Sequence, residues 1–186
     1  MWFAWVFLII ASGLPVPSLN AATLRVSSPA ELAAAPAQEK KEYLTDAEAE
    51  KIRDADTPNE RVKLYISFAD DRLKKFQYEL GRTSAEMHRA DTLNGLLNGY
   101  SGSIDDAADV IQGAIDKDAD ILAGLKEMTS KGKEYLATLQ KIDDAKGKDF
   151  DSYKDTLEDA IEGTMDAVDE AQAAQKTYSA PVRRKQ

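Results

Sequence analysis

The chain has 186 residues, no cysteine, a single histidine and a formal charge of −9. The missing thiols exclude disulfides, thiolate metal sites, c-type haem attachment and cysteine nucleophiles. The acidic balance disfavours nonspecific binding to nucleic acid or anionic lipid.

Residues 1–22 contain no Asp, Glu, Lys or Arg. Trp2 to Ile10 form a short apolar block, followed by Ser12, Gly13, Pro15 and Pro17, then the small pair Ala21 and Ala22. That order matches a secretory signal peptide, with a cut expected after Ala22 or, alternatively, after Gly13. An uncleaved anchor is the competing reading. A spanning helix needs about 20 apolar residues, and two prolines interrupt this segment, so export with cleavage is preferred. A membrane partner is expected only if the segment stays attached. Both tryptophans, Trp2 and Trp5, lie in it, so a processed chain would have no tryptophan absorbance. The next residues, 23–42, are rich in Ala, Pro, Ser and Glu without a period, and a disordered linker is predicted over 23–44.

Helix starts are then well marked. Thr45 to Glu48, Thr57 to Glu60 and Thr83 to Glu86 each match the capping box, in which the Thr hydroxyl and the Glu carboxylate satisfy each other's backbone N–H groups. Pro58 suits the first position of a helix, where its missing N–H is no loss. A short helix is predicted over 46–54 and a long one over 58–80, ending at Gly81. Its apolar residues Val62, Ile66, Ala69, Leu73, Phe76 and Leu80 recur in a 4-3 rhythm that lines one side of an α-helix. A second stripe, Leu93, Leu97, Tyr100, Ile104, Ala107, Ile111 and Ala114, is offset from the first by one residue. A break anywhere in 81–91 is therefore expected, with Asp91 a good cap.

The third stripe, Ile121, Leu125, Met128, Gly132, Tyr135, Leu139 and Ile142, shares the phase of the second. Only Asp118 interrupts the pattern, and no Gly or Pro does. One helix over 93–142 would be about 75 Å long. A tight hairpin with an Asp as N-cap is preferred, because so long a helix would leave its seam in water unless the protein oligomerises. Gly147 is the expected stop of this helix, and Asp149 or Asp151 the cap of the last. That helix carries Phe150, Tyr153, Leu157, Ile161, Met165, Val168 and Ala171. The whole reads as an all-α, antiparallel up-down bundle of about four long helices with coiled-coil-like seams over 45–178, followed by a basic tail, 179–186.

Charge is unevenly spread. Residues 143–170 hold eleven acids against three bases, whereas 56–90 hold six against seven. The acidic last helix is accordingly expected beside the neutral-to-basic first long one, a weak preference worth about 0–1 kcal/mol per exposed pair.

Few residues carry chemistry. Asp116, Asp118, Asp120 and Glu127 stand at positions 1, 3, 5 and 12 of a twelve-residue stretch, the oxygen-ligand positions of an EF-hand loop, and so resemble a calcium site. The competing reading is a solvated acidic junction, since Ile121 stands where that loop has Gly and the seam claims Ile121 and Leu125. Gly95, Gly99, Gly102 and Gly113 crowd one helix at about 0.8–1 kcal/mol each. The first three share the face opposite the seam with Asp106 and Asp109, which suits either close approach of another segment or a soft solvent face. His88 lacks the partners that catalysis or haem ligation with Met87, Met128 or Met165 requires. Paired Glu-x-x-His motifs, a nucleophile elbow and glycine-rich phosphate loops are all absent, so neither a catalytic residue nor a cofactor is expected. Tyr65, Tyr78, Tyr100, Tyr135 and Tyr153 are expected to fill the seams with their hydroxyls at the wet edge.

Two resemblances bear on function. Pro58 to Leu73, with its Glu-Arg…Phe-Ala-x-x-Arg-Leu pattern, resembles the first helix of uncharacterised bacterial exported all-helical proteins, which implies no known activity. Leu44-Thr-Asp-Ala-Glu48 is similar to the Leu-Thr-x-x-Gln repeats of Spy-like periplasmic chaperones, with Glu48 in place of Gln. The expectation is an exported, periplasmic or secreted, non-enzymatic bundle that makes protein–protein contacts, with a partner or with itself through its seams. A periplasmic holdase is the first alternative and a calcium-binding module the second.

Overall fold

The computed structural model describes residues 43–82 and 87–178. The signal segment, most of the linker, the Thr83 capping box and the tail 179–186 lie outside the described residues. Five helices follow in order: α1 (Asp46–Asp54), α2 (Pro58–Gly81), α3 (Arg89–Asp116), α4 (Leu122–Ala145) and α5 (Lys154–Thr177), with a 3-10 turn at Phe150–Ser152. None of them is long and apolar enough to cross a membrane.

The first two helices begin as their sequences dictate. Thr45 Oγ1 accepts from the Glu48 N–H at 3.2 Å, and Glu48 accepts from the Thr45 N–H at 2.9 Å. Thr57 and Glu60 repeat the exchange, with Pro58 at the first helical position. The linker boundary needs correction, because Tyr43 and Leu44 belong to the folded body: Leu44 is buried in the core cluster and Tyr43 packs against it. The third long stretch starts at Arg89 without a side-chain cap. Asp91 sits inside its first turn, where a carboxylate still interacts favourably with the helix dipole.

Residues 117–121 break the chain into two helices, so the hairpin prevails over a single rod. Asp118, however, ends α3 instead of capping α4. Its φ of 52° is left-handed, and the Ala119 N–H reaches Ala114 O at 2.9 Å while the Asp118 N–H reaches Ile115 O at 3.0 Å. Those two bonds form a Schellman closure with Asp where Gly is usual, and Asp tolerates that conformation better than most residues. The start of α4 is capped from elsewhere. Asn59, in the first turn of α2, accepts from the Gly124 N–H at 2.7 Å and donates to Asp120 O at 2.8 Å. The Tyr178 hydroxyl accepts from the Ile121 N–H at 3.2 Å and donates to Ala119 O at 2.5 Å. Asn59→Ala is expected to destabilise the protein by about 1 kcal/mol, the usual cost of a lost N-cap, with hydrogen exchange at 122–125 rising first. Unchanged exchange there would contradict the cap.

At the far end of α4 the left-handed residue is Lys146, with φ 42°, and not Gly147. Neither Asp149 nor Asp151 caps α5. The Asp149 carboxylate instead accepts from Arg89 Nε at 2.8 Å, tying the start of α3 to the α4–α5 loop.

The four long helices form a square. Helix α2 packs on α3 and α4, and α5 packs on the same two, so α3 and α4 face each other across a diagonal. Chain direction alternates up and down, as expected, yet the short α3–α4 link crosses the bundle instead of following an edge. Consequently α2/α3 and α4/α5 are antiparallel neighbours, while α2/α4 and α3/α5 run parallel. The charge expectation therefore fails: α5 lies opposite α2. Apolar burial is continuous along the seams and outweighs exposed pairs of charges.

The first three stripes are buried almost throughout, with Leu80 and Ile142 at their ends half-exposed. The fourth is rotated from its expected line. Leu157, Ala160, Thr164, Ala167, Val168 and Ala171 face the core, whereas Met165 is 46 % exposed and Ile161 half-buried. Thr164 belongs inside because it meets Tyr100: the hydroxyls lie 2.7 Å apart, and Thr164 also donates to Ala160 O. The Tyr135 hydroxyl donates to Ile66 O, and its ring meets that of Tyr100 edge-on at 5.9 Å across the diagonal. These two hydroxyls are thus satisfied in the interior and not at a wet edge, while Tyr78 is exposed.

Candidate functional site

The acids of the calcium-loop pattern are not gathered. Asp116, Asp118 and Asp120 are exposed around the α3–α4 turn, where Gln112 donates to Asp116 and the Asp120 carboxylate accepts weakly from the Leu122 N–H. Glu127 lies more than a turn into α4, close enough to Lys131 and Tyr135 to act on their charge. Ile121, which would have to turn sharply, is fully buried in the core. Among the described residues no group of three or more His, Asp and Glu sits where it could hold a metal. His88 is exposed, with Asp91 the ion-pair neighbour among the described residues at 3.4 Å.

The glycine face divides in two. Gly95 and Gly113 have open space where a Cβ would stand, as a solvent face requires. Gly99 and Gly102 are covered. A Cβ on Gly102 would lie 2.7 Å from the Tyr43 ring, and one on Gly99 would lie 3.4 Å from Arg72. Close approach therefore explains these two: Tyr43, at the head of the segment 43–54, covers Gly102, and Arg72 of α2 covers Gly99 with Tyr43 beyond it.

That segment is fastened by a polar cluster. Arg72, on α2, holds both Glu48 carboxylate oxygens at 2.6 and 2.7 Å and also donates to Tyr43 O at 3.0 Å. Such a fork is the strong geometry for a guanidinium. The Arg72 hydrogen bond holds Glu48 down to about pKa 2. Glu48, the departure from the chaperone-like repeat, is therefore occupied twice, as capping-box partner and as ion-pair partner. On the other side, the Tyr43 hydroxyl donates to Gly102 O at 2.9 Å and contacts the Asp106 carboxylate. One phenolic proton cannot serve two acceptors. Burial, with the Asp109 charge adding to it, lifts Asp106 to about pKa 6, so below that pH a protonated Asp106 can supply the second proton.

The sign of the pH effect follows. Between the ordinary Asp value and about 6 the folded protein holds a proton that the unfolded chain has lost, so stability falls as pH rises through this range. Glu48 acts oppositely, its contribution being present above its ordinary pKa and lost as pH falls toward 2. We expect Asp106→Asn to remove the decline in melting temperature between pH 4 and 6.5; a decline of unchanged slope would refute the assignment.

Two hollows lie at the end of the bundle where α2 and α4 finish. An open cleft of about 740 Å³ is lined by Met87, Arg89, Phe150 and the 146–149 loop, with Met87 93 % exposed. A narrower hollow of about 250 Å³ lies between the ends of α2 and α4, with Tyr153 at its base and Lys141 and Lys148 at its side. Neither is readable from the sequence, since their residues come from separate helices and only the ends of the stripes hint that the seam runs out there. The outer face of α5 is the third surface feature. Between Asp155 and Glu170 seven carboxylates are exposed with no base among them, and Met165 protrudes in their midst.

No protein family model matches this chain, and no curated protein or solved structure matches it either.

Proposed function

We propose that this protein is an exported, non-enzymatic helical bundle that works in the cell envelope through protein–protein contact. The observation that carries this reading is the outer face of α5. Several buried or half-buried polar side chains elsewhere fasten elements together: Arg72 to Glu48, Asn59 to α4, Tyr100 to Thr164, and Gln175 to Leu125 O. The α5 carboxylates take no part in such fastening and enter no ion pair with a described residue. Seven like charges side by side repel one another and disfavour the helix that carries them. Met165 adds apolar surface that the fold does not bury. A face that costs stability and faces outward fits a basic partner surface, which would neutralise the charge and cover the methionine.

A photo-crosslinking residue at position 165 tests this in cells of the source, with position 63 on exposed α2 as control. The expected result is a discrete protein adduct at 165, lost when Glu158, Glu162 and Asp166 become Gln. No adduct, or the same adducts at both positions, would refute the contact face. A hydrolytic, redox or transferase turnover by the purified protein would refute the non-enzymatic reading.

A further inference from the structure

The narrow hollow between α2 and α4 combines three features that the packing of the bundle leaves unused. Its walls are the ends of two seams. Leu80 and Ile142 continue the buried stripes yet are only half-covered, and Ala145 beside them is exposed. At its base, Tyr153 is 1 % exposed, and its ring is held edge-on by Phe76 at 5.4 Å and Phe150 at 5.6 Å. Its hydroxyl hydrogen-bonds to no described residue, although the buried hydroxyls of Tyr100 and Tyr135 both have partners. That hydroxyl stands 3.9 Å from where a Cβ on Gly147 would sit, and Gly147 itself lines the hollow. Beside it, Lys141 and Lys148 are exposed and enter no ion pair with a described residue. No carboxylate lines the hollow.

We propose that this hollow binds a single-chain anionic amphiphile, with hydrocarbon against Leu80, Ile142 and Ala145 and a carboxylate head at Lys141, Lys148 and the Tyr153 hydroxyl. The charged groups lining the site are both cations and the Tyr153 hydroxyl offers a donor, so the complementary head group accepts hydrogen bonds and carries negative charge. Burial, with Asp149 next in effect, pushes the Tyr153 pKa up and keeps the hydroxyl a donor at neutral pH. Asp149 itself is engaged by Arg89. The hydroxyl lines the hollow, so a ligand oxygen there can accept its hydrogen bond. The volume, about 250 Å³, lies just below the usual range for small-molecule sites, roughly 300–1,000 Å³. It suits one slender chain and excludes a fused-ring cofactor. This site is separate from the α5 face and does not depend on it.

Decanoate below its micellar concentration is the probe, titrated calorimetrically into the full chain. One saturable site per chain is expected. Tyr153→Phe keeps the ring and its packing and should weaken binding about tenfold, the value of a hydrogen bond to a charged group. Lys141→Glu with Lys148→Glu, both on the surface, should weaken it at least as much, with helicity unchanged by circular dichroism. Decan-1-ol should bind more weakly than decanoate. Absence of saturable decanoate binding would overturn the proposal, as would affinity unaffected by either variant, or decan-1-ol binding as tightly as the acid.

Discussion

Replacing Arg72 by Met is expected to destabilise the protein by about 2–3 kcal/mol and to release α1 from the bundle before the rest unfolds. Breaking a buried ion pair from one side costs about 3–5 kcal/mol, because the remaining charge stays buried and unpaired. The expected loss lies at or below the bottom of that range, since Glu48 keeps its bonds to Thr45 and its side chain is 16 % exposed. The substitution also removes the donor to Tyr43 O and the guanidinium that lies over the Phe68 ring at 5.7 Å. Few other contacts hold α1, which buries only Ile52. Hydrogen exchange over 46–54 should accelerate more than exchange in α3 or α5. Arg72→Lys should fall between, because an ammonium keeps the charge but not the two-pronged geometry. A change in unfolding free energy within about 0.5 kcal/mol, the range of ordinary surface substitutions, would contradict the role given to this pair.

Gly132→Ala should cost about 2 kcal/mol although helix propensity alone favours Ala by about 1 kcal/mol. A Cβ at 132 would stand 2.3 Å from Val168 Cγ2, with Met128 Sδ behind it at 4.0 Å. Val168 offers little relief, because a β-branched side chain in a helix has one strongly preferred rotamer. The two helices must therefore separate locally, and overpacking of this kind costs about 1–3 kcal/mol. Val168→Ala in the same chain should restore most of the loss. If Gly132→Ala proves stabilising, α4 and α5 do not approach as closely as described.

These two sites also show where sequence reasoning reaches and where it stops. Gly132 was on the expected stripe, so its burial could be read from spacing. Its purpose could not, because Val168 is contributed by another helix. Arg72 lies between the positions of the first stripe, and although it is the Arg of the Phe-Ala-x-x-Arg-Leu pattern, nothing in that pattern points to Glu48 as its partner. Glu48 was legible as a capping residue, yet its second bond depends on how α1 lies against α2. Gly99 and Gly102 stand out by their helix cost, yet Tyr43, which covers Gly102, lies in the stretch read as linker, and Arg72, which covers Gly99, lies on another helix. The spacing places the Tyr153 ring in a seam, and it is buried there. That its hydroxyl lines a hollow depends on the ends of α2 and α4, which come from elsewhere in the chain.

Local chemistry settled the helices themselves. Capping boxes at Thr45 and Thr57, the proline at 58 and the 4-3 spacing act within a few residues of chain, so they can be read without knowing the fold. The same local energetics identified the inward face of α2, α3 and α4. Tertiary structure alone decided the rest: the diagonal α3–α4 crossing, the rotation of α5 toward Thr164, the cap that Asn59 lends to α4, and the left-handed turns at Asp118 and Lys146. Each of these depends on a partner 50 or more residues away or on competition between neighbouring helices for the same buried area. Such choices are made by packing, which sums over the whole core and leaves no trace in any one short stretch of sequence.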